Sequence, residues 1–255
     1  MEGEQLGITM HLLYSDKHRE PGFTLVELMI AMVISSIIVA AIYSAYKMQR
    51  DVFEAQDQIT EVQQNIRAAT WAIVREIRMA GFDPTESAGA GITVATAGRI
   101  GFTQDITDNS GTGSSDEDTD DANENITFGF SAADDADNNG IPDAGTAISL
   151  GRDTGGGYQA IADNIQAVEF YYTLEDGTSI LPTAAAPITA AQLTDIRSIQ
   201  VSILARTRYP DREYTDGLTY LPASNTAAGT VWGPYNDHFR RRLLTTTVTC
   251  RNLGL

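Results

Sequence analysis

Three textures follow one another along the chain. The first is apolar: Leu28 to Tyr46 is a run of 19 residues without a formal charge. At about 1.5 Å per residue it would span about 28 Å as a helix, close to the ~30 Å hydrocarbon core of a bilayer. The second is periodic. Val52, Ala55, Ile59, Val62, Ile66, Ala69, Ile73 and Ile77 recur at spacings of three and four, which lines them up on one helical stripe with polar residues opposite. Gly81 and Pro84 supply the stop. No Gly or Pro interrupts residues 23–80, so one helix of 58 residues is predicted, its first half (23–46) in lipid and its second half (47–80) against a soluble domain. A coiled-coil stalk would need sustained a/d heptads. Trp71 and Val74 broaden the stripe, which suits packing on a sheet better.

The third texture, residues 81–255, is β. "GITVA", "RIGFTQ", "NITFGFS", "TAISLG", "IQAVEFYYTL", "IRSIQVSILART" and "LLTTTVTCRN" are short, rich in Val, Ile, Thr, Phe and Tyr, and bounded by Gly, Asn and Asp. In "RSIQVSILAR", Ile199, Val201, Ile203 and Ala205 alternate with polar or mixed neighbours, the pattern of a half-buried antiparallel strand. No long helical pattern separates the strands, so parallel βαβ units are not expected; residues 183–195 suit one short helix. Two long loops, 104–125 and 210–237, are functional or disordered by their length. The fold class is α+β, a long N-terminal helix packed on an antiparallel sheet domain.

Charge changes the picture. With 34 acidic against 17 basic residues, the net charge is -17. That opposes nucleic-acid binding, which relies on Lys and Arg neutralising phosphates. The acids concentrate: residues 100–151 hold 12 of them and no Lys or Arg. Within that stretch, Asp135, Asp137 and Asn139 alternate, Gly140 permits a tight turn, Ile141 offers a carbonyl and Asp143 closes the set. Oxygen ligands at positions 1, 3, 5, 7 and 9 with Gly at 6 match a Ca²⁺ loop. Position 12 is Thr146 rather than the bidentate Glu of an EF-hand, and no flanking helices are expected. An Asx-rich turn between strands fits the same residues. Ca²⁺ is thus the one candidate ion, and no cofactor is required. A second acidic run, "DEDTDDANEN", lacks the Gly and is the weaker candidate.

Catalytic patterns are missing from the sequence: no G-x-S-x-G, no P-loop, no H-E-x-x-H and no Cys/His pair. The single cysteine, Cys250, excludes an intrachain disulfide and reads as a small apolar strand residue. His238 reads as a surface or strand-edge residue, and the "RRR" at 240–242 as solvated or locally paired charge.

The remaining oddity is Glu27, an acid at the start of the apolar run, where charges are costly and usually functional. A cleaved secretory signal would place small residues after the apolar run. Here the small residue, Gly22, precedes it. "GFTLVELMIAMVISS" resembles the class III signal of type IV prepilins and pseudopilins. The resemblance implies cleavage after Gly22 by a prepilin peptidase, N-methylation of Phe23, and removal of residues 1–22 as a leader. Met10 is an alternative start that would shorten it. It also implies that Glu27 meets the N-terminal amine of a neighbouring subunit, since a buried carboxylate needs a partner. "VQQNIRAATWAIVREIRMAGFDP", "IRSIQVSILART" and "RRRLLTTTVTCRNLGL" resemble PilW-type minor pilins, with the J-type pseudopilin of type II secretion close behind.

A pilin-like fold is implied, and a structural subunit that primes or caps a type IV pilus. Other minor pilins, the major pilin, the peptidase and the inner-membrane assembly platform would be its partners, in a single-pass inner-membrane protein whose periplasmic domain later joins the pilus. Two alternatives stand beside this reading: a secretion pseudopilin, and a signal-anchored periplasmic protein that keeps its leader and binds calcium or a glycan.

Overall fold

The computed structural model describes residues 22–108, 115–225 and 229–254. By compactness the chain divides between Val52 and Phe53. One helix, α1 (Leu25–Ile77), passes through both units. Its run in the first unit presents apolar side chains outward, Leu28 to Tyr46 among them. It is long and apolar enough to cross a membrane. In the second unit α1 buries Val62, Ile66, Ala69, Ile73 and Ile77, the later part of the predicted stripe. The stripe's first residue, Val52, is exposed, and Ala55 and Ile59 are only part-buried. Each large aliphatic side chain so buried is worth roughly 1.5–3 kcal/mol. Gly81, with φ +75°, turns the chain out of the helix, in a conformation that glycine adopts without strain.

The second unit adds β1 (Ile92–Ala95), β2 (Ile100–Thr103), β3 (Asn125–Gly129), β4 (Ile148–Asp153), β5 (Gln159–Leu174), β6 (Ser179–Ile180), α2 (Ala190–Thr194), β7 (Ile196–Arg206) and β8 (Arg241–Thr249). They form one antiparallel sheet in the order β1-β2-β3-β4-β5-β7-β8, with β6 also paired to β5. The expected strands are all there, and the short helix is α2, opened by a Thr189/Gln192 capping box. The two-residue β6 has no sequence signal of its own. β5 is the spine at 16 residues. β7 pairs along one of its edges from Ile165 to Leu174. The other edge takes β4 first and β6 last. Loop backbone fills the gap between them: Val168 N donates to Gly140 O at 2.9 Å and Phe170 N to Ala97 O at 2.8 Å.

The sheet has two covered faces. On the helix side Phe102, Phe128, Val168, Phe170, Tyr172, Ile199, Val201 and Ile203 pack with the α1 stripe in one core. Cys250 joins that core as an apolar residue, just beyond β8. On the opposite side a smaller cluster holds Ala167 and Leu204 under Tyr220 and Trp232. Tyr220 and Trp232 come from the long connection between β7 and β8, so the 210–237 segment folds back over the sheet. This corrects the half-buried reading of β7: Val201 to Ala205 are all buried, Ser202 and Leu204 on the face that alternation assigned to solvent. One strand's period of two cannot reveal a cover supplied by a remote loop.

Candidate functional site

Three places were singled out by the sequence or emerge from the geometry. The first is the start of α1. Gly22 is open, with nothing within 4 Å of where a Cβ would stand. Phe23 is 91% exposed. Thr24 caps the helix: Glu27 N donates to Thr24 Oγ1 at 3.2 Å, and Glu27 Oε2 accepts from Thr24 N and Oγ1, both at 2.9 Å. This is a capping box, with the carboxylate at N3 also near the positive end of the helix dipole. Glu27 therefore has a partner within its own chain. The spacing Thr24-x-x-Glu27 is the sequence signal of this cap. One oxygen, Oε1, carries none of these bonds, so the exposed carboxylate keeps room for a second donor.

The second place is the acidic loop after β3. It is a packed turn. Asp135 is buried, and its carboxylate accepts from Asn139 N and Gly140 N, both at 3.0 Å. Asp137 accepts from Asn139 N and Nδ2, Asn139 Oδ1 from Ile141 N, and Asp143 Oδ2 from Ala136 N. Gly140 has φ +81°, and a Cβ on it would lie 2.0 Å from Val168 O, so only glycine brings the loop this close to β5. Carboxylate oxygens of Asp135, Asp137 and Asp143 lie within 4.8 Å of one another. Burial, joined by the neighbouring Asp137, pushes the Asp135 carboxyl above its usual range. Crowded oxygens of this kind suit a hard divalent cation, although Asp137 and Asn139 already serve as Asx-turn acceptors and Asp135 accepts from the backbone four and five residues on. The run set aside as the weaker candidate also converges: Asp116, Asp118 and Asp121 bring oxygens within 4.8 Å of one another. Beside it, buried Glu124 accepts from Ile106 N and Thr107 N at 2.8 Å, holding the described ends of the 104–125 loop together.

The third place was not foreseen. Arg241, from the "RRR" triplet, is a buried ion-pair centre: its side chain is 1% exposed, against 0% for Asp216. Nη1 meets Asp216 Oδ2 at 2.8 Å, and both terminal nitrogens meet Asp237 at 2.6 Å. The guanidinium also lies 3.9 Å from the Tyr235 ring centroid. Glu169 of β5 accepts from Ser224 N at 3.0 Å and Oγ at 2.7 Å, with burial holding its carboxyl above the usual range. These bonds fasten the 207–240 connection to the sheet. Local pairing was expected for the triplet, and Arg241–Asp237, four residues apart at 2.6 Å, fits it; Arg240 reaches back to Asp211 at 2.8 Å. The burial of Arg241 corrects the solvated alternative. Its partner Asp216 lies 25 residues away in sequence, beyond any local pattern. His238 is exposed, as expected, with Nδ1 2.6 Å from Tyr214 O.

The chain thus carries an open, capped helix start and an antiparallel sheet domain. Comparison with known families says what these belong to. The prokaryotic N-terminal methylation motif matches residues 17–43, and the Type IV Pilus-assembly protein W model matches residues 126–252. The chain is thus a type IV pilin-like protein of the PilW type, a minor pilin in pilus assembly. Among solved structures it is similar to a type IV-like pilin from Thermus thermophilus, at 16% identity over 76% of this chain and 98% of that one, with a TM-score of 0.42. No curated protein matches.

Proposed function

We propose that the chain is a structural subunit that primes or caps a type IV pilus, processed after Gly22, methylated on Phe23 and seated in the inner membrane by a single pass of α1 until assembly. The observation that carries this reading is the joint match of the methylation motif and the PilW domain to the two ends of one chain. Its role is architectural rather than catalytic. The exposed apolar run of α1 provides the packing surface, and the covered sheet gives a rigid body that selects neighbours. Partners are other minor pilins, the major pilin, the prepilin peptidase and the assembly platform.

Glu27 acts twice in this reading. It closes the capping box within its own chain, and its charge meets the amine of a neighbouring Phe23. Glutamine also closes a capping box, so two variants separate the roles. Glu27→Ala and Glu27→Gln should both be cleaved and inserted, and both should fail to enter pili. Normal incorporation of Glu27→Gln would assign the residue to capping alone.

A second reading concerns the loop at Asp135, where three crowded carboxylates favour it. Asp135, Asp137, Asn139, the Ile141 carbonyl and Asp143 would hold one Ca²⁺, stiffening the loop that fills the β5 edge. Calcium-dependent thermal stability is its test.

A further inference from the structure

The sheet's order begins at β1 and ends at β8, so among the described residues each of these strands pairs along one edge only. An unpaired edge offers its N–H and C=O groups to any other extended chain, and proteins ordinarily blunt it with short strands, bulges, proline or charge. β1 is blunted: it has four residues, and its register slips between Ile92 and Val94. β8 is built differently. It runs for nine residues, "RRLLTTTVT", without Gly or Pro, and its register against β7 is unbroken from Arg241 to Thr249.

The ladder fixes which backbone groups are left over. Thr207 N donates to Arg240 O at 2.8 Å and Cys250 N to Arg197 O at 2.9 Å, so the even-numbered residues of this stretch face β7. In an antiparallel ladder the N–H and C=O of one residue point the same way, and successive residues alternate. Arg241, Leu243, Thr245, Thr247 and Thr249 therefore aim theirs out of the sheet, and none of these groups has a hydrogen-bond partner among the described residues. Side chains add a second feature. β8 contains no acid. Arg242 near its start and Arg251 just past its end are exposed, and neither forms an ion pair among the described residues. Between them Leu243 and Leu244 are only part-buried, one against the cluster under the connection and one against the helix-side core.

We propose that the β8 edge docks an extended segment of another protein, added as one further antiparallel strand, apolar or β-branched at its centre and acidic at both ends. The unpaired N–H and C=O groups require an extended partner, since only a strand meets donors and acceptors at that repeat. Leu243 and Leu244 lie on opposite faces of the sheet and call for apolar neighbours across the new ladder. Arg242 and Arg251 call for acids at its ends, in a chain whose net charge is otherwise -17. A second copy of β8 meets the backbone requirement and fails the charge requirement, because it brings two more arginines and no acid. The inference goes beyond the minor-pilin reading: it stands on the sheet domain and does not depend on cleavage at Gly22.

The test titrates the full chain, in detergent, onto a dilute fluorescent peptide, EVTVTVTVE, and follows amide hydrogen exchange along the chain by mass spectrometry. The peptide should bind and slow exchange in residues 241–249. The same peptide N-methylated throughout, which cannot pair, should not bind. KVTVTVTVK should bind about fivefold more weakly, the scale of two exposed ion pairs. Arg242→Glu/Arg251→Glu should reverse that preference, which a folding defect would not. Thr247→Pro removes an outward N–H and no bond to β7, so it should cut binding about tenfold while the melting temperature stays near that of the wild type. No binding of EVTVTVTVE by about 0.1 mM chain, equal binding of the N-methylated or the basic peptide, or protection away from β8 would overturn the inference. Exchange in 241–249 that slows with chain concentration alone would also overturn it, and would assign the edge to a second copy.

Discussion

Replacing Arg241 by Met would test whether the buried ion pair holds the 207–240 connection on the sheet. Methionine keeps much of the aliphatic volume and removes the guanidinium. The variant loses the bonds to Asp216 at 2.8 Å and to Asp237 at 2.6 Å, together with the stacking on Tyr235. Asp216 would remain fully buried, with Tyr220 Oη at 3.1 Å, Leu218 N at 3.3 Å and Tyr214 Oη at 3.4 Å as remaining donors. Breaking one side of a buried pair costs about 3–5 kcal/mol. The remaining donors place the expected cost near the lower figure. Removing the orphaned charge as well, in Asp216→Asn/Arg241→Met, should recover at least about half of it, because neutral groups are cheaper to bury. Trp232 is the natural reporter, buried where the connection packs on Ala167 and Leu204 of the sheet. With Trp71→Phe to silence the exposed tryptophan, urea titration of the full chain in detergent would follow Trp232 fluorescence. At an m-value of about 2 kcal/mol per molar urea, the single variant's midpoint should fall by about 1.5 M. A shift below about 0.3 M, or a double variant no more stable than the single, would refute the reasoning.

Three further outcomes are expected. Gly140→Ala should cost about 2 kcal/mol or more, because its Cβ would lie 2.0 Å from Val168 O at φ +81°, while Gly145→Ala, with open space around it, should cost less; equal melting temperatures would contradict this. Burial holds Glu169 above the usual carboxylate range, so the folded state keeps its proton to higher pH than the unfolded chain. The wild type should then lose stability relative to Glu169→Gln as pH rises from the ordinary glutamate range through the raised value, and a melting-temperature series that diverges the other way would contradict that sign. Calcium at about 100 times its Kd should stabilise the wild type by about 2.7 kcal/mol and leave Asp137→Asn/Asp143→Asn unmoved; equal calcium response in both would remove the Asp135 loop as the site.

The architecture was readable where a pattern is local. The α1 stripe from Val62 to Ile77 shows a period near 3.6 and is buried as that period requires. The seven strand segments showed β-rich runs bounded by turn residues, and each became a strand. The start of α1 was legible because the residues that open it, Gly22 to Glu27, lie within six positions of one another. What escaped depends on long-range pairing. Ser202 and Leu204 look solvent-facing by alternation, and both are buried: Leu204 packs with Tyr220 and Trp232, and Ser202 Oγ accepts from Ala223 N of the same connection. Arg241 finds Asp216 across 25 residues, and Glu169 finds Ser224 across 55. The Asp135 loop lay between: its ligand-like spacing was visible, but its docking on β5 through Gly140 O and Val168 N was not.

The central claim is that this chain is a processed subunit of an assembled pilus. Peptide mass spectrometry of sheared extracellular filaments, alongside membranes from the same cells, tests it most directly. The account predicts a peptide that begins at N-methylated Phe23 in the sheared fraction. Peptides that read through Gly22 into the leader in both fractions, with no Phe23 terminus, would contradict it.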